Sequence, residues 1–156
     1  MELPKVLESK MKIRFQDCDP FNHLNNASYF NYMINAREDQ IIENYDLDIY
    51  KHGQQTGKSW VVSTHQISYI RPAKMQELVS IESQLLNYGK KHLLVEIRMF
   101  NESKTELKAV LWSSFVYFNI MKSSSDIHSE DLLQLFEKVV LPVKEASFED
   151  RIKSFR

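Results

Sequence analysis

The chain has 156 residues, of which 43% are hydrophobic and 26% are charged, and its formal net charge is −1. A chain of this length suits one domain that buries about two-thirds of its unfolded surface. The near-zero charge argues against a nucleic-acid-binding surface, the single cysteine excludes an internal disulfide, and no apolar run approaches the ~20 residues of a membrane span. Because the N-terminus also lacks an apolar signal segment, we expect a cytoplasmic protein.

The first third of the sequence predicts a short strand followed by a long helix. Residues 11–15 alternate between apolar and charged types, which indicates a strand with one buried face. Between Ala27 and Tyr45 the apolar residues recur at steps of three and four, which predicts an amphipathic helix that Asn25 or Asn26 can cap. Residues 46–58 contain two glycines and predict a connection with room for a short helical turn.

The middle of the chain has the period of two that is typical of strands. Four segments predict strands joined by short turns: Trp60–Ile70, Leu78–Leu86, His92–Asn101 and Lys108–Asn119. The third segment alternates apolar and polar residues, so we expect one of its faces to contact solvent. The fourth is apolar on both faces, which predicts a place in mid-sheet or at a subunit contact.

The order of these elements predicts the fold class. Short links favour antiparallel neighbours, so the chain predicts an α+β domain with about five antiparallel strands and one long helix. A second apolar segment, at residues 132–139, predicts a C-terminal helix. We therefore expect one domain over residues 1–156, with its core at about 10–119 and a helical extension at about 126–156.

Residues that can carry chemistry are concentrated in the loop before the long helix. Two carboxylates, a thiol, an imidazole and two side-chain amides lie between Asp17 and Asn26. A helix N-terminus offers backbone N–H groups without intrahelical partners, and these can bind developing negative charge. Asp19, where the chain turns toward the helix, is positioned to act as a nucleophile or general base, although a carboxylate before a proline is also a common turn residue. If the first strand continues, Phe15 and Asp17 share one of its sides.

The other polar side chains of this loop have structural as well as functional interpretations. His23 is either a loop hydrogen-bonding residue or a catalyst, and Asn25 and Asn26 either cap the helix or orient a water or a carbonyl group. Cys18 fits a small packing residue better than a nucleophile, because nothing in the sequence indicates a lowered thiol pKa. We expect no metal site, since no further His/Glu cluster is nearby, and no phosphate-binding loop, since no Gly-x-Gly cluster occurs.

The loop and the start of the helix have the spacing Asp17-x-Asp19-x-x-x-His23-x-Asn25-Asn26-x-x-Tyr29. This motif, between a short strand and an apolar helix, resembles that of hotdog-fold acyl-CoA thioesterases of the 4-hydroxybenzoyl-CoA thioesterase type. Ala36-Arg37 matches an alanine-arginine pair of that family. The segment Ile67–Ala73 is similar to the strand end and turn that follow the family's helix. The resemblance covers about residues 10–119.

Two positions differ from the family pattern. Asn22 stands where the family has a glycine before the histidine, and Gln76-Glu77 stands where it often has Gly-Asp. Asparagine can adopt the left-handed backbone that such a glycine provides, so we expect that conformation at Asn22. Glu77 keeps the negative charge of the family's aspartate.

The resemblance implies a hotdog fold, in which the sheet wraps around the long helix, and a homodimer or homotetramer with active sites at subunit interfaces. It also implies an enzyme that hydrolyses acyl-CoA to a free acid and CoA, with no cofactor beyond the coenzyme A of the substrate. The helix N-terminus would polarise the thioester carbonyl while Asp19 attacks it or activates water, with His23 and Asn26 as further catalytic residues. The substrate-binding residues implied by the resemblance are Asn22, Asn25, Tyr29 and Arg71.

Three other functions fit the same residues. The nearest is hydrolysis of thioesters on acyl-carrier protein. A second is a non-catalytic acyl-CoA binding module, in which Asp19 is only a turn residue. A third is a hotdog hydratase or dehydratase, but the chain lacks that group's usual Asp-His pairing in the region of the central helix. The sequence leaves the acyl group open.

Overall fold

The computed structural model describes residues 2–156. An antiparallel sheet with the strand order β1-β3-β4-β5-β2 wraps around one long helix, and a two-residue strand, β6, extends β5. This is the arrangement that the sequence predicts. The strands are β1 Leu7–Lys12, β2 Lys58–Tyr69, β3 Leu78–Tyr88, β4 His92–Asn101, β5 Leu107–Asn119 and β6 Ser124–Ser125. The helices are α1 Tyr29–Tyr45, α2 Ile49–Thr56, α3 Glu130–Val139 and α4 Phe148–Ser154.

The main core lies between α1 and the concave face of the sheet. Met33 and Ala36 of α1 are buried against a row of fully buried sheet residues that includes Ile81, Ile97 and Leu111. The inward side chains of each strand alternate with outward ones, so this row comes from one face of β3, β4 and β5. The helix predicted from residue 27 begins as a 3-10 turn at Asn26–Ser28 and becomes α-helical at Tyr29.

The first strand ends earlier than its alternation suggests. β1 stops at Lys12, and Ile13 instead exchanges backbone hydrogen bonds with Gln76 and Glu77, each at 2.9 Å. Phe15 then lies in a 3-10 turn with its side chain 74% exposed. The expectation that Phe15 and Asp17 share one side of a strand is therefore wrong, because the backbone leaves the sheet before it reaches them.

The outer face of the sheet is covered by the C-terminal part of the same chain. Val110 and Trp112, on the outward side of β5, pack with Ile152 and Phe148 of α4. Glu96, on the face of β4 that the sequence predicts to be wet, is fully buried. That prediction is wrong. β5 lies in mid-sheet between β4 and β2, which is one of the two places that its sequence predicts, and α4 rather than a second subunit covers its outer apolar row.

A buried group of charges fastens this covering segment to the sheet. Glu96 accepts hydrogen bonds from Trp112 Nε1 at 2.7 Å, from Arg151 Nε at 2.8 Å and from Arg151 Nη2 at 2.9 Å, and it also pairs with Arg98. Burial by itself raises the pKa of Glu96, but the bonds from Arg151 and Trp112 and the nearby positive charges outweigh it and hold the pKa below its usual value. The carboxylate is therefore ionised and compensated inside the protein.

Replacing Arg151 by Met should destabilise the fold. We expect Arg151→Met to lower the free energy of unfolding by about 3 kcal/mol, the low end for breaking a buried pair, because Arg98 still compensates Glu96 in part. Urea denaturation followed by tryptophan fluorescence measures this. Lys153→Met is the matched control: its partner Glu149 is exposed, so the loss should stay below about 1 kcal/mol. Equal losses in the two variants would contradict the assignment.

Candidate active site

The loop between Cys18 and Asn26 is held in place by backbone hydrogen bonds. Asp19 donates its N–H to His23 O at 2.8 Å, and Asn22 donates its N–H to Asp19 O at 3.0 Å. Leu24 N–H donates to Ala73 O at 2.7 Å, which fastens the loop to the turn that follows β2. The loop is thus a defined structure at the start of α1, built on two chain segments that are far apart in sequence.

Two residues of this region have the left-handed backbone that glycine favours. Asn22 has φ of 63° and Gln76 has φ of 70°. The conformation expected at Asn22 is therefore confirmed. Gln76 occupies the second position where the family pattern often has glycine, and there a side chain with a Cβ costs of order 1 kcal/mol.

The Asp19 carboxylate is half-buried and is oriented by the backbone of its own loop. Its Oδ1 accepts hydrogen bonds from Phe21 N–H at 2.9 Å and His23 N–H at 3.1 Å, which is an Asx-type turn. Within residues 2–156, Oδ2 makes no hydrogen bond and the carboxylate forms no ion pair. Asp19 can therefore hold the turn and also take part in chemistry, because Oδ1 makes the hydrogen bonds of the turn and Oδ2 is left for a reaction.

The two asparagines before the helix have different surroundings. Asn25 Oδ1 accepts a hydrogen bond from Ala27 N–H at 2.9 Å, so Asn25 caps the opening 3-10 turn. The Asn26 side chain is exposed and makes no hydrogen bond in the described chain, while its backbone carbonyl accepts from Tyr69 Oη at 3.1 Å. The half-buried His23 imidazole likewise has no hydrogen bond within the part of the chain that the structure describes.

Tyr29 connects the start of α1 to the turn after β2. Its side chain is buried, its hydroxyl accepts a hydrogen bond from Ala73 N–H at 3.1 Å, and its ring packs edge-on against Tyr69 at 5.1 Å. Burial raises the pKa of Tyr29, and the nearby acidic groups Glu77 and Asp19 add to this. Arg71, at the other end of the same turn, has an exposed side chain.

Cys18 has surroundings that keep its thiol protonated. The Sγ lies 3.3 Å from Arg14 O, to which it donates. Burial raises the pKa of Cys18, and the negative charges of Asp19 and Asp17 raise it further. A nucleophilic cysteine needs the opposite environment. Asp17 itself is engaged by Tyr32, whose hydroxyl donates to Oδ2 at 2.5 Å.

A cavity of about 210 Å³ follows α1 on the inner side of the sheet. Its walls are mostly apolar and come from α1, the concave sheet face and α3. The α1 residues in the wall are Phe30, Ile34, Arg37, Glu38, Ile41 and Tyr45. The helical spacing of the apolar residues is visible in the sequence, but that spacing predicts only packing. We call this row of α1 residues the α1 stripe. The one signal in the sequence that the stripe lines a site is its arginine, Arg37. The side chains of the Asp19 loop do not line this cavity, which begins one residue beyond Tyr29.

Two further features of the described residues, 2–156, concern metals and membranes. No group of three or more His, Cys, Asp or Glu side chains in this range is arranged to hold a metal ion. No helix in the same range is both long and apolar enough to cross a bilayer.

Comparison with known proteins identifies the family. The pattern of the thioesterase-like superfamily matches residues 13–153. The chain belongs to this superfamily. Membership confirms the prediction of a thioester hydrolase.

Individual relatives agree with this assignment. The long-chain acyl-CoA thioesterase FadM of Escherichia coli K12 is 25% identical over 134 residues, which cover 86% of this chain and 99% of the relative. The structure of DHNA-CoA thioesterase from Staphylococcus aureus superposes with a TM-score of 0.79 at 16% identity, covering 86% of this chain and 90% of that one. The hypothetical protein SAV2348 of S. aureus, solved in complex with CoA, gives a TM-score of 0.79 at 13% identity and covers 94% and 93%. These superpositions confirm the hotdog fold.

Replacing Cys18 by Ser should leave most of the thioester hydrolysis intact. The thiol is held protonated beside two carboxylates, so it contributes packing and not attack. The measurement is loss of thioester absorbance, which also allows the wild type to be treated with iodoacetamide without interference. A folded Cys18→Ser protein without activity would replace Asp19 by a cysteine–histidine mechanism.

Proposed function

We propose that this protein is an acyl-CoA thioesterase that hydrolyses an acyl thioester to a free acid and CoA, with a site of the 4-hydroxybenzoyl-CoA thioesterase type. The observation that carries the proposal is the oriented Asp19 carboxylate, with one free oxygen, in the loop that opens the helix along which the apolar cavity runs. The similarity to the acyl-CoA thioesterases FadM and DHNA-CoA thioesterase, and to SAV2348 in its complex with CoA, supports coenzyme A as the carrier.

In the proposed reaction the thioester carbonyl binds at the opening turn of α1. Backbone N–H groups in a first helical turn lack intrahelical acceptors. Ala27 and Ser28 donate theirs to Asn25, whereas the Asn26 N–H makes no hydrogen bond within residues 2–156. We assign the Asn26 N–H, together with the positive end of the helix dipole, to stabilise the negative charge that develops on the carbonyl oxygen. In other enzymes, the loss of one such donor costs about 2.7–4 kcal/mol of transition-state stabilisation.

Asp19 supplies the attack on the carbonyl carbon, either directly or through a water that it deprotonates. The two backbone N–H bonds hold Oδ1 still, and Oδ2 remains free to attack or to accept a proton. The tetrahedral intermediate collapses when the C–S bond breaks and CoA leaves as its thiolate. In the direct route, water then hydrolyses the acyl–aspartate anhydride and restores the carboxylate.

The other site residues that the sequence predicts either act on the tetrahedral intermediate or lie beside it. Within residues 2–156 the side chains of His23 and Asn26 make no hydrogen bonds, so we assign them to orient the water or the thioester. Asn22, Asn25, Tyr29 and Arg71 surround the loop and the facing turn, and we assign them to substrate binding.

The cavity along α1 receives the acyl group. It follows the helix from Phe30 to Tyr45, a distance of about 22 Å at a rise of 1.5 Å per residue. A long, narrow, mostly apolar space of this kind fits an extended alkyl chain better than a compact ring. We therefore propose medium and long acyl chains as the substrate class.

Replacing Asp19 by Asn should lower kcat/KM for acyl-CoA at least about a hundredfold, because the amide keeps the turn but loses the basic oxygen. The measurement is steady-state CoA release on a panel of short, medium, long and aromatic acyl-CoAs, with circular dichroism to verify the fold. Asp17→Asn is the matched control: Asp17 is bonded to Tyr32, so we expect a change in stability and a milder change in rate. An Asp19→Asn enzyme with near-normal turnover would transfer the catalytic role to another residue.

We also propose a homodimer, or a tetramer of two such dimers, formed through strand β2. This strand pairs with β5 on one side only, and its residues 61–66 are all exposed. Val61 and Val62, which point to opposite faces, are 46% and 44% exposed. An exposed apolar edge strand is a template for pairing with a second chain.

Charged residues on β2 should dissociate this assembly. We expect Val61→Lys with Thr64→Lys, two exposed positions of β2 outside the cavity wall, to reduce the mass in sedimentation velocity to that of the 18.5 kDa monomer and to abolish activity. Both side chains are exposed within one chain, so the double variant should fold. Glu149→Lys, on an exposed site of α4, should leave the mass unchanged. A wild-type protein that is monomeric and active at micromolar concentration would refute the proposal.

A further inference from the structure

A charged side chain stands in the wall of the apolar cavity. Arg37 is 9% exposed and lies at the middle of the α1 stripe that lines the space. Among residues 2–156, no aspartate or glutamate forms an ion pair with it. The other two shielded arginines differ: Arg98 pairs with Glu82 and Glu96, and Arg151 pairs with Glu96. Arg37 is therefore a buried cation without an internal anion.

The contacts that Arg37 makes are all with neutral groups. Its Nη1 donates to Ser83 Oγ at 3.0 Å, and its guanidinium carbon lies 6.0 Å from the centre of the Tyr45 ring. Ser83 in turn donates to Gln40 Oε1 at 2.5 Å. A guanidinium has five N–H donors, so these neutral contacts orient it but leave donors for a ligand in the cavity.

The charge on Arg37 persists at neutral pH. Burial lowers its pKa to about 10, and Tyr45 opposes this shift only in part. A buried charge without a partner is unfavourable, so an anion that reaches this position gains an interaction that the protein itself does not supply.

Glu38, the other charged residue of the cavity wall, does not supply that anion. It is half-buried, and its carboxylate accepts hydrogen bonds from Tyr50 Oη of α2 at 3.1 and 3.3 Å. Its carboxylate is therefore engaged by α2, and within residues 2–156 it forms no ion pair with Arg37.

We infer that Arg37 binds a carboxylate at the far end of the acyl chain, so that the substrates include CoA monothioesters of medium-length α,ω-dicarboxylic acids. The inference rests on the proposed thioesterase function and narrows its substrate class. The planar fork of arginine binds both oxygens of a carboxylate through two parallel hydrogen bonds, which gives selectivity as well as affinity.

The position of Arg37 along the helix sets the chain length. It lies about 12 Å beyond Tyr29 at 1.5 Å per residue. In an extended chain each C–C bond of about 1.5 Å is inclined to the chain axis and advances it by about 1.25 Å, so roughly ten carbons span this distance. Shorter diacids would leave their second carboxylate in the apolar part of the cavity, so we expect activity to fall for them.

The test compares two thioesters of equal length, dodecanoyl-CoA with a terminal methyl group and dodecanedioyl-CoA with a terminal carboxylate. In the wild type, we expect kcat/KM for the carboxylate-ended substrate to be within tenfold of the methyl-ended one, or higher. An apolar cavity without a receptive cation would reject the carboxylate, so a value more than tenfold lower overturns the inference. This measurement needs no variant and does not depend on how a substitution affects folding.

The variants then assign the effect to Arg37. Arg37→Met should lower kcat/KM for the carboxylate-ended substrate at least about tenfold relative to the methyl-ended one, and Arg37→Lys should give a smaller relative loss because it keeps the charge but not the fork. Ile34→Ala, an apolar wall residue of the same helix with no hydrogen bond to Arg37, is the control for a packing effect and should change both substrates by the same factor. Equal losses on both substrates in Arg37→Met would make the residue purely structural and overturn the inference.

The same data separate this inference from the proposed function. A wild type that hydrolyses neither thioester refutes the thioesterase proposal, and the inference falls with it. A wild type that hydrolyses dodecanoyl-CoA but whose preference does not depend on Arg37 refutes only the role of Arg37.

Discussion

The site depends on the way one small residue, Ala73, joins the start of α1 to the loop before it. The N–H of Ala73 donates to the Tyr29 hydroxyl, and its C=O accepts from Leu24, so both backbone groups of one buried residue are bonded to the candidate active site. A larger side chain would separate these segments, because Ala73 has no exposed surface. The position of the helix N-terminus relative to Asp19 therefore follows from the turn after β2.

The direction of α1 links this junction to the cavity. Once the first turn is fixed, the next residues on the same face fall at Phe30, Ile34, Arg37 and Ile41, along the space that we assign to the acyl chain. The face toward the sheet is closely packed through Met33 and Ala36, while the neighbouring face remains open. In the proposed reaction, one helix thus provides both the carbonyl site at its end and the acyl-chain site along its side.

Charges in this protein are buried in two different ways. On the outer face of the sheet, Glu96 is matched by Arg151 and Arg98, and the group holds the C-terminal segment in place. On the inner face, Arg37 has only neutral partners. The first arrangement is complete within the chain, whereas the second includes no anion among residues 2–156. That difference is the basis for the carboxylate site that we infer at Arg37.

The sequence by itself determined the order of elements, the long helix and the loop motif, because these depend on local periodicity and backbone preference, and its resemblance to the family pattern indicated the left-handed Asn22. Only the tertiary structure decided that Asn25 caps the opening turn, that β1 ends before Phe15 and that Arg37 lines an open cavity. Likewise, only the packing of α4 decided that the outer sheet face is covered, since Arg151 and Glu96 are 55 residues apart. A local sequence pattern predicts which face of a helix or strand is buried, but the residues that cover that face come from distant parts of the chain.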